Sequence, residues 1–170
     1  MEEFMRRKII YGVLAVVCIV LLAVLITMYQ RQVSVNGQML ADDFRYAGYS
    51  AVSFDKVSSD RLTNGEKKKA LNSYWLAMRP LSANINRVAE SGAYREYRMD
   101  GLEEFLIELN EDLGNPAKYD ALIHTIKKVN ANLERIGEQS TSGYNFRGDP
   151  ENIRKYISEI EEDCRAYTGR

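Results

Sequence analysis

The chain has 170 residues, with 23 lysines and arginines against 24 aspartates and glutamates, and a formal net charge of −1. This balance provides no basic surface of the kind that nucleic-acid binding requires, so we expect no nucleic-acid partner. A zinc site or a catalytic triad would depend on His124, the single histidine, and no phosphate-binding or dinucleotide motif is present. We therefore predict no catalytic residue, no metal and no cofactor.

An uncharged apolar segment occupies residues 9–28, directly after the basic triplet Arg6, Arg7 and Lys8. Twenty helical residues rise about 30 Å, which is the thickness of a bilayer's hydrocarbon core. The segment is longer than the apolar region of a cleaved signal peptide, and no small-x-small cleavage site follows it. We therefore predict an uncleaved signal anchor that crosses the lipid bilayer once.

The flanking charges predict the orientation of this anchor. The basic triplet lies before the apolar segment, whereas Arg31 is the only nearby basic residue after it. The positive-inside rule then makes residues 1–8 a short cytoplasmic tail and places everything after residue 28 outside the cytoplasm. The chain contains no N-x-S/T glycosylation site, which favours a bacterial cell envelope.

The two cysteines are separated by this topology, because Cys18 falls in the membrane and Cys164 outside it. They cannot pair within one chain, so the exported domain must be stable without an internal disulfide. We predict that Cys164 is a buried thiol on a helix seam, with an intermolecular disulfide as the alternative.

Residues 29–61 are predicted to form a juxtamembrane linker. Asn36-Gly37 is a turn signal, which predicts an interruption of the membrane helix. After it, Leu40, Phe44, Ala47 and Ala51 fall on one helical face, so the linker has the pattern for one short amphipathic helix.

The strongest helical pattern starts at Thr63, which forms a T-x-x-E capping box with Glu66. Apolar residues then recur at alternating spacings of three and four, which predicts a helix kinked at Pro80 and ended by Gly92. The stripe comprises Leu71, Tyr74, Met78, Leu81, Ile85 and Val88.

Three further amphipathic helices follow, each with its own start and stop signal. They are predicted to run from Asp100 as N-cap to Gly114, from Asn115-Pro116 to Gly137, and from Asp149-Pro150 to Gly169. Four capped helices with short connections predict an antiparallel helical bundle over residues 62–170. The fold class is therefore all-α, with one transmembrane helix followed by an exported bundle. An extended coiled coil is disfavoured because glycine and proline interrupt the pattern repeatedly.

Two loops have the composition of interaction surfaces. Aromatic and arginine side chains, which are enriched in binding hot spots, alternate in residues 93–99 as Tyr94, Arg95, Tyr97 and Arg98. The longest connection, residues 138–148, carries Tyr144, Phe146 and Arg147 among small polar residues. The alternative for residues 93–99 is that they close one end of the bundle.

Acidic residues also cluster on two of the predicted helices, where we expect them to be solvated surface. The clusters comprise Glu104, Glu108, Glu111 and Asp112, and Glu159, Glu161, Glu162 and Asp163.

The pattern as a whole favours a non-enzymatic, single-pass membrane protein. Its extracytoplasmic bundle would bind other envelope or membrane proteins, as an accessory or scaffold subunit of a complex, with its oligomeric state left open. The layout resembles the exported four-helix domains of bacterial chemoreceptors, in architecture alone, which implies ligand sensing as the alternative. A cell-wall enzyme acting through paired carboxylates is the third hypothesis.

Overall fold

The computed structural model describes residues 2–57, 62–90, 92–139 and 150–169, and within these ranges the side chains of residues 10–55 and of all residues from Leu62 onward. All regular structure in these ranges is helical, as predicted. Two 3₁₀ turns, Arg95–Tyr97 and Pro116–Lys118, accompany the α-helices. The α-helices are α1 (Glu2–Val57), α2 (Asn64–Ala89), α3 (Asp100–Asp112), α4 (Tyr119–Gln139) and α5 (Pro150–Thr168).

The chain divides into two units, Met1–Val35 and Asn36–Arg170. In the first unit, the large apolar side chains between Ile10 and Met28 are exposed. This part of α1 is long and apolar enough to cross a membrane, judged by length and composition.

Helix α1 continues without a break through Asn36-Gly37, so the predicted interruption there is wrong. Gly37 is buried inside the helix, and a Cβ at this position would collide with the hydroxyl of Tyr94. The glycine therefore leaves room for the end of the Tyr94 side chain and does not form a turn.

The second half of α1 belongs to the helical core. Leu40, Phe44, Ala47 and Ala51 share one face, as predicted, and each is at most 1% exposed. The compact unit consequently begins at Asn36, although the sequence pattern places the start of the bundle at residue 62. Burial of this face adds α1 to the four helices that the sequence predicts.

The remaining helices bury the apolar stripes that the sequence predicts for them. Helix α2 packs against α3 and α4, and α5 packs against the same two helices. The predicted stripe of α2 is buried except at Leu81, which is half-buried against the core. Helix α2 continues through Pro80, and the capping box of Thr63 and Glu66 is confirmed at its start.

Two predicted helix ends are wrong. Asp100 is the first residue of α3 rather than its N-cap, and Met99 in the cap position provides no side-chain hydrogen bond. Gly137 does not end α4, which extends to Gln139. A Cβ at Gly137 would lie 3.2 Å from the Cα of Gly48, so the glycine allows α4 to approach α1 closely.

Candidate functional site

The second unit contains a groove between α1 and α2, with a cavity volume of about 530 Å³. Its α1 wall consists of Tyr46, Tyr49, Ser50, Ser53 and Phe54. Its α2 wall consists of Glu66, Lys69, Ala70, Ser73, Tyr74 and Ala77, and Leu62 lies just before that helix. Five of these residues are serine or alanine, whose side chains are too short to fill the space between the two helices.

The floor of the groove is apolar and well packed. The rings of Phe54 and Tyr74 meet edge to face, with their centroids 5.0 Å apart. Both residues are buried, at 6% and 3% exposure. An edge-to-face pair holds both rings in place, so the floor offers a preformed apolar surface.

The hydroxyl of Tyr74 is buried and has no hydrogen-bond partner among the described residues. Burial raises the pKa of Tyr74 well above its ordinary value of 10.0, and the nearby Cys164 and Asp55 raise it further. The residue therefore stays neutral and contributes an apolar ring, rather than a titrating group, to the site.

The rim of the groove is aromatic and open to solvent. Tyr46 and Tyr49 are 54% and 61% exposed, and Leu76, next to the lining residue Ala77, is 59% exposed. Large side chains exposed together beside an apolar cavity are characteristic of binding surfaces.

Two charged residues, Glu66 and Lys69, line the groove, and they differ in their interactions within the protein. The Glu66 carboxylate accepts hydrogen bonds from the backbone N–H and the hydroxyl of Thr63, at 2.8 and 2.7 Å. These two bonds lower the pKa of Glu66. Lys69 has no ion-pair partner within the described part of the chain, so its ammonium group remains available to a ligand.

The predicted interaction loop at residues 93–99 divides into a buried and an exposed part. Tyr97 is 5% exposed and stacks on the half-buried Tyr94, with the centroids 6.1 Å apart. Arg98 donates to Asp100 at 2.8 Å, and Arg95 is exposed. The two tyrosines thus pack onto the helical unit and Arg98 is paired with Asp100, so Arg95 is the one exposed residue of these four.

The side chains of the remaining predicted site residues lie outside the part of the chain that the structure describes. Tyr144, Phe146 and Arg147 lie outside the described residues. Arg6, Arg7 and Lys8 are helical in backbone, but their side chains also lie outside the described set.

Two acidic residues predicted to be solvated are instead structural. Glu161 of α5 accepts hydrogen bonds from the backbone N–H of Gly101 at 2.8 Å and of Leu102 at 3.4 Å. Asp112 is 9% exposed and accepts from Lys118 and Tyr167, each at 2.8 Å. Local sequence patterns do not predict these contacts, because Glu161 and Gly101 are sixty positions apart and Asp112 and Tyr167 are fifty-five positions apart.

The groove could not be predicted from the sequence because one of its walls is formed by α1. Without the second half of α1 in the core, the sequence pattern places the serine and alanine residues of α2 on an ordinary solvent-exposed surface.

Within the described residues, no group of three or more potential metal ligands occurs. Comparisons with protein-family models, curated proteins and solved structures give no match to this chain.

Proposed function

We propose that this chain is a single-pass membrane-anchored protein whose helical unit binds another polypeptide in the groove between α1 and α2. The apolar segment 9–28 is the anchor, with the basic triplet on the cytoplasmic side and the helical unit outside. The protein is non-enzymatic and acts as an accessory or scaffold subunit of an envelope complex.

The observation that carries this proposal is the groove itself. It combines an apolar floor, an exposed aromatic rim and a line of small residues on each wall. On α2 these small residues are Ala70, Ser73 and Ala77, which share one helix face and leave room for a third helix. An apolar-faced helix lying in a hydrophobic groove is a recurrent mode of peptide recognition.

The test is site-specific photo-cross-linking in the native membrane. A photoreactive phenylalanine analogue replaces Ser73, which lines the groove, or the adjacent exposed Asn72, which does not. We expect a protein cross-link from position 73 and little from position 72. Equal yields from both positions, or none, would refute protein binding in the groove.

A matched pair of variants tests the same point by blocking the groove. Ser73→Trp places a large side chain in the groove, whereas Asn72→Trp places it on the neighbouring solvent-facing position. We expect only Ser73→Trp to prevent co-purification of the bound protein, since both positions are exposed and tolerate a larger side chain.

Ligand sensing is the second candidate, and the volume of the groove favours it. A cavity of about 530 Å³ lies within the range of roughly 300–1,000 Å³ that is typical of small-molecule sites. Native mass spectrometry of the full chain would detect a bound small molecule. A small-molecule adduct that Ser73→Trp removes and Asn72→Trp retains would favour sensing over protein binding.

A further inference from the structure

We infer that the polypeptide bound in this groove is α1 of a second copy of this chain. Two copies then pair through their α1 helices, and the α1 helix of each copy lies in the groove of the other. The inference rests on the proposed function, because it requires a polypeptide in the groove, and it adds the identity of that polypeptide.

The outward face of α1 carries an exposed seam in the second unit. Its apolar members, Met39, Tyr46 and Tyr49, are 41%, 54% and 61% exposed. Asp42 and Ser53 complete the seam, and both are exposed. These five residues follow one another at spacings of three, four, three and four, which is the pattern of a helix that packs along its length against one other helix. We call them the α1 seam.

The exposed apolar side chains of the second unit are concentrated at the α1 seam and the groove. Among its described residues, five large apolar side chains are exposed, and three of them belong to the seam. The fourth, Leu76, lies on α2 beside the groove wall, whereas the fifth, Ile107, lies on α3. Such a concentration marks this side of the unit as an interaction surface.

The seam and the groove complement each other in the size of their side chains. Tyr46 and Tyr49 are large and exposed, whereas the groove walls carry the small residues Ser50, Ser53, Ala70, Ser73 and Ala77. In paired helices, large side chains of one helix enter the spaces between side chains of the other. The two tyrosines also line the groove of their own copy, so the seam and the groove form one continuous surface. A two-fold symmetric contact uses one surface twice, which such a surface allows.

The charges at this surface are compatible with a contact between identical copies. Asp42, the charged residue of the seam, pairs with Arg45 of its own helix at 2.6 Å, which offsets repulsion between the two equivalent aspartates. The carboxylate of Glu66 accepts its two hydrogen bonds from Thr63. Lys69 is exposed, so its ammonium group can stay in water at the rim of the contact.

The proposed membrane anchor favours a parallel pair of α1 helices. Helix α1 is continuous from Glu2 to Val57 and contains the apolar segment 9–28. Every copy is anchored in the same membrane with the same orientation, so the α1 helices of two neighbours point in the same direction. Confinement to one bilayer also raises the effective concentration of the copies, which reduces the affinity that the contact itself must provide.

The apolar area at this surface approaches what a dimer needs. A tyrosine side chain presents roughly 150–250 Å², so the exposed fractions of Tyr46 and Tyr49 contribute roughly 200 Å² per copy. Met39 and Leu76 add their exposed portions. A standard protein interface contains about 450 Å² of nonpolar surface per partner. Four side chains on one face therefore supply a large part of that area.

The first experiment is mass-spectrometric mapping of the photo-cross-link from position 73 in the full-length protein in its native membrane. We expect a self-adduct within residues 39–53 of a second copy. A cross-link to a different protein alone, or a self-adduct outside this segment, would overturn the inference and leave the proposed function intact. A yield no higher than that from position 72 would overturn both.

The second experiment uses thiol cross-linking between equivalent positions of two copies. Ser53→Cys places a thiol in the seam, and Ser158→Cys places one on α5 at a position that is also exposed. Both variants carry Cys18→Ser, and Cys164 is fully buried. With a short bis-maleimide linker in the native membrane, we expect a covalent dimer from position 53 and little from position 158. Equal yields, or no dimer from position 53, would overturn the inference.

The third experiment removes the large side chains of the seam. Tyr46→Ala with Tyr49→Ala should lower the yield of the dimer cross-linked through position 53 about tenfold. Ile107→Ala is the matched control, because Ile107 is 57% exposed but lies outside the seam and the groove, and it should leave the yield unchanged. Native Trp75 fluorescence shows that both variants are folded. Equal yields from the two folded variants would overturn the inference.

Discussion

Buried polar side chains determine the loops and helix ends of the second unit. Asn86 is 6% exposed, accepts a hydrogen bond from the backbone N–H of Met99 at 2.8 Å and donates to Glu103 at 2.9 Å. It thereby fixes the chain immediately before α3. Glu161 then satisfies the first N–H groups of that helix, a capping role provided by a neighbouring helix.

The capping role of Glu161 predicts a specific loss of stability. Glu161→Ala leaves the N–H groups of Gly101 and Leu102 without their acceptor, and we expect the free energy of unfolding to fall by about 1–2 kcal/mol. Glu162→Ala, at the next and exposed position, is the control and should change it little. Trp75 is the only tryptophan and lies in α2, so its fluorescence during urea unfolding in lipid nanodiscs reports on the helical unit. Equal effects of the two substitutions would contradict the capping role.

Cys164 is predicted to be chemically inert in the folded protein. Its side chain is fully buried, as its position on the stripe of α5 predicted. Burial raises the pKa of the thiol, and the negative charges of Glu161 and Asp163 raise it further. Because the thiolate is the reactive form, a maleimide at pH 8 should label Cys164 only after unfolding. The measurement uses Cys18→Ser to leave one thiol, and rapid labelling of the folded protein would contradict it.

At the scale of single elements, we expect the stability that the N-terminus of α2 contributes to decrease at acidic pH. Hydrogen bonds from the hydroxyl and the backbone N–H of Thr63 lower the pKa of Glu66 below its ordinary value of 4.5. A lowered pKa in the folded state means that this stabilisation is complete above the unfolded-state pKa. It is lost as the pH falls through the folded-state value.

Thr63→Ala tests this acid response because it removes one of the two hydrogen bonds. We expect the variant to be less stable than the wild type at neutral pH, with the difference shrinking as Glu66 becomes protonated. Urea titrations followed by Trp75 fluorescence, repeated from pH 7 to pH 3, measure this dependence. A difference that is independent of pH would refute the linkage.

The contact between α1 and α4 depends on two glycines. Gly48 and Gly137 face each other, and a Cβ on Gly137 would also lie 3.3 Å from the backbone oxygen of Phe44. Gly137→Val should therefore separate the two helices and lower the free energy of unfolding by about 1–3 kcal/mol. Gly65→Val is the control, because a Cβ at that helical position meets no atom within 4 Å. A Gly137→Val protein as stable as the control would show that α4 and α1 do not need this approach.

At the scale of the whole molecule, the proposed orientation in the membrane depends on the basic residues that precede the apolar segment. Reporter fusions at the C-terminus, one active only in the cytoplasm and one active only outside it, should show an external C-terminus. Removing the triplet Arg6, Arg7 and Lys8 and adding three lysines after Gln32 should invert part of the population. Cytoplasmic reporter activity in the unaltered protein would contradict the proposed orientation.

The sequence predicted the elements that depend on local signals. These signals are caps, glycine and proline positions and apolar stripes, which lie within a few turns of the residues that they order. They therefore predict α2 to α5 and the core face of each helix. The same signals failed where a residue's role depends on a distant partner. The sequence pattern predicts a turn at Gly37 and a helix stop at Gly137, whereas in the structure the absence of a side chain leaves room for Tyr94 and Gly48.

The sequence by itself determined an apolar N-terminal segment long enough to span a membrane and a helical chain that follows it. Only the tertiary structure decided that α1 continues to Val57 and joins the core, that Glu161 caps α3, and that a groove opens between α1 and α2. The physical reason is that periodicity identifies which face of a helix is apolar. Which neighbour covers that face, and where small side chains leave space uncovered, depends on the packing of segments that are far apart in the chain.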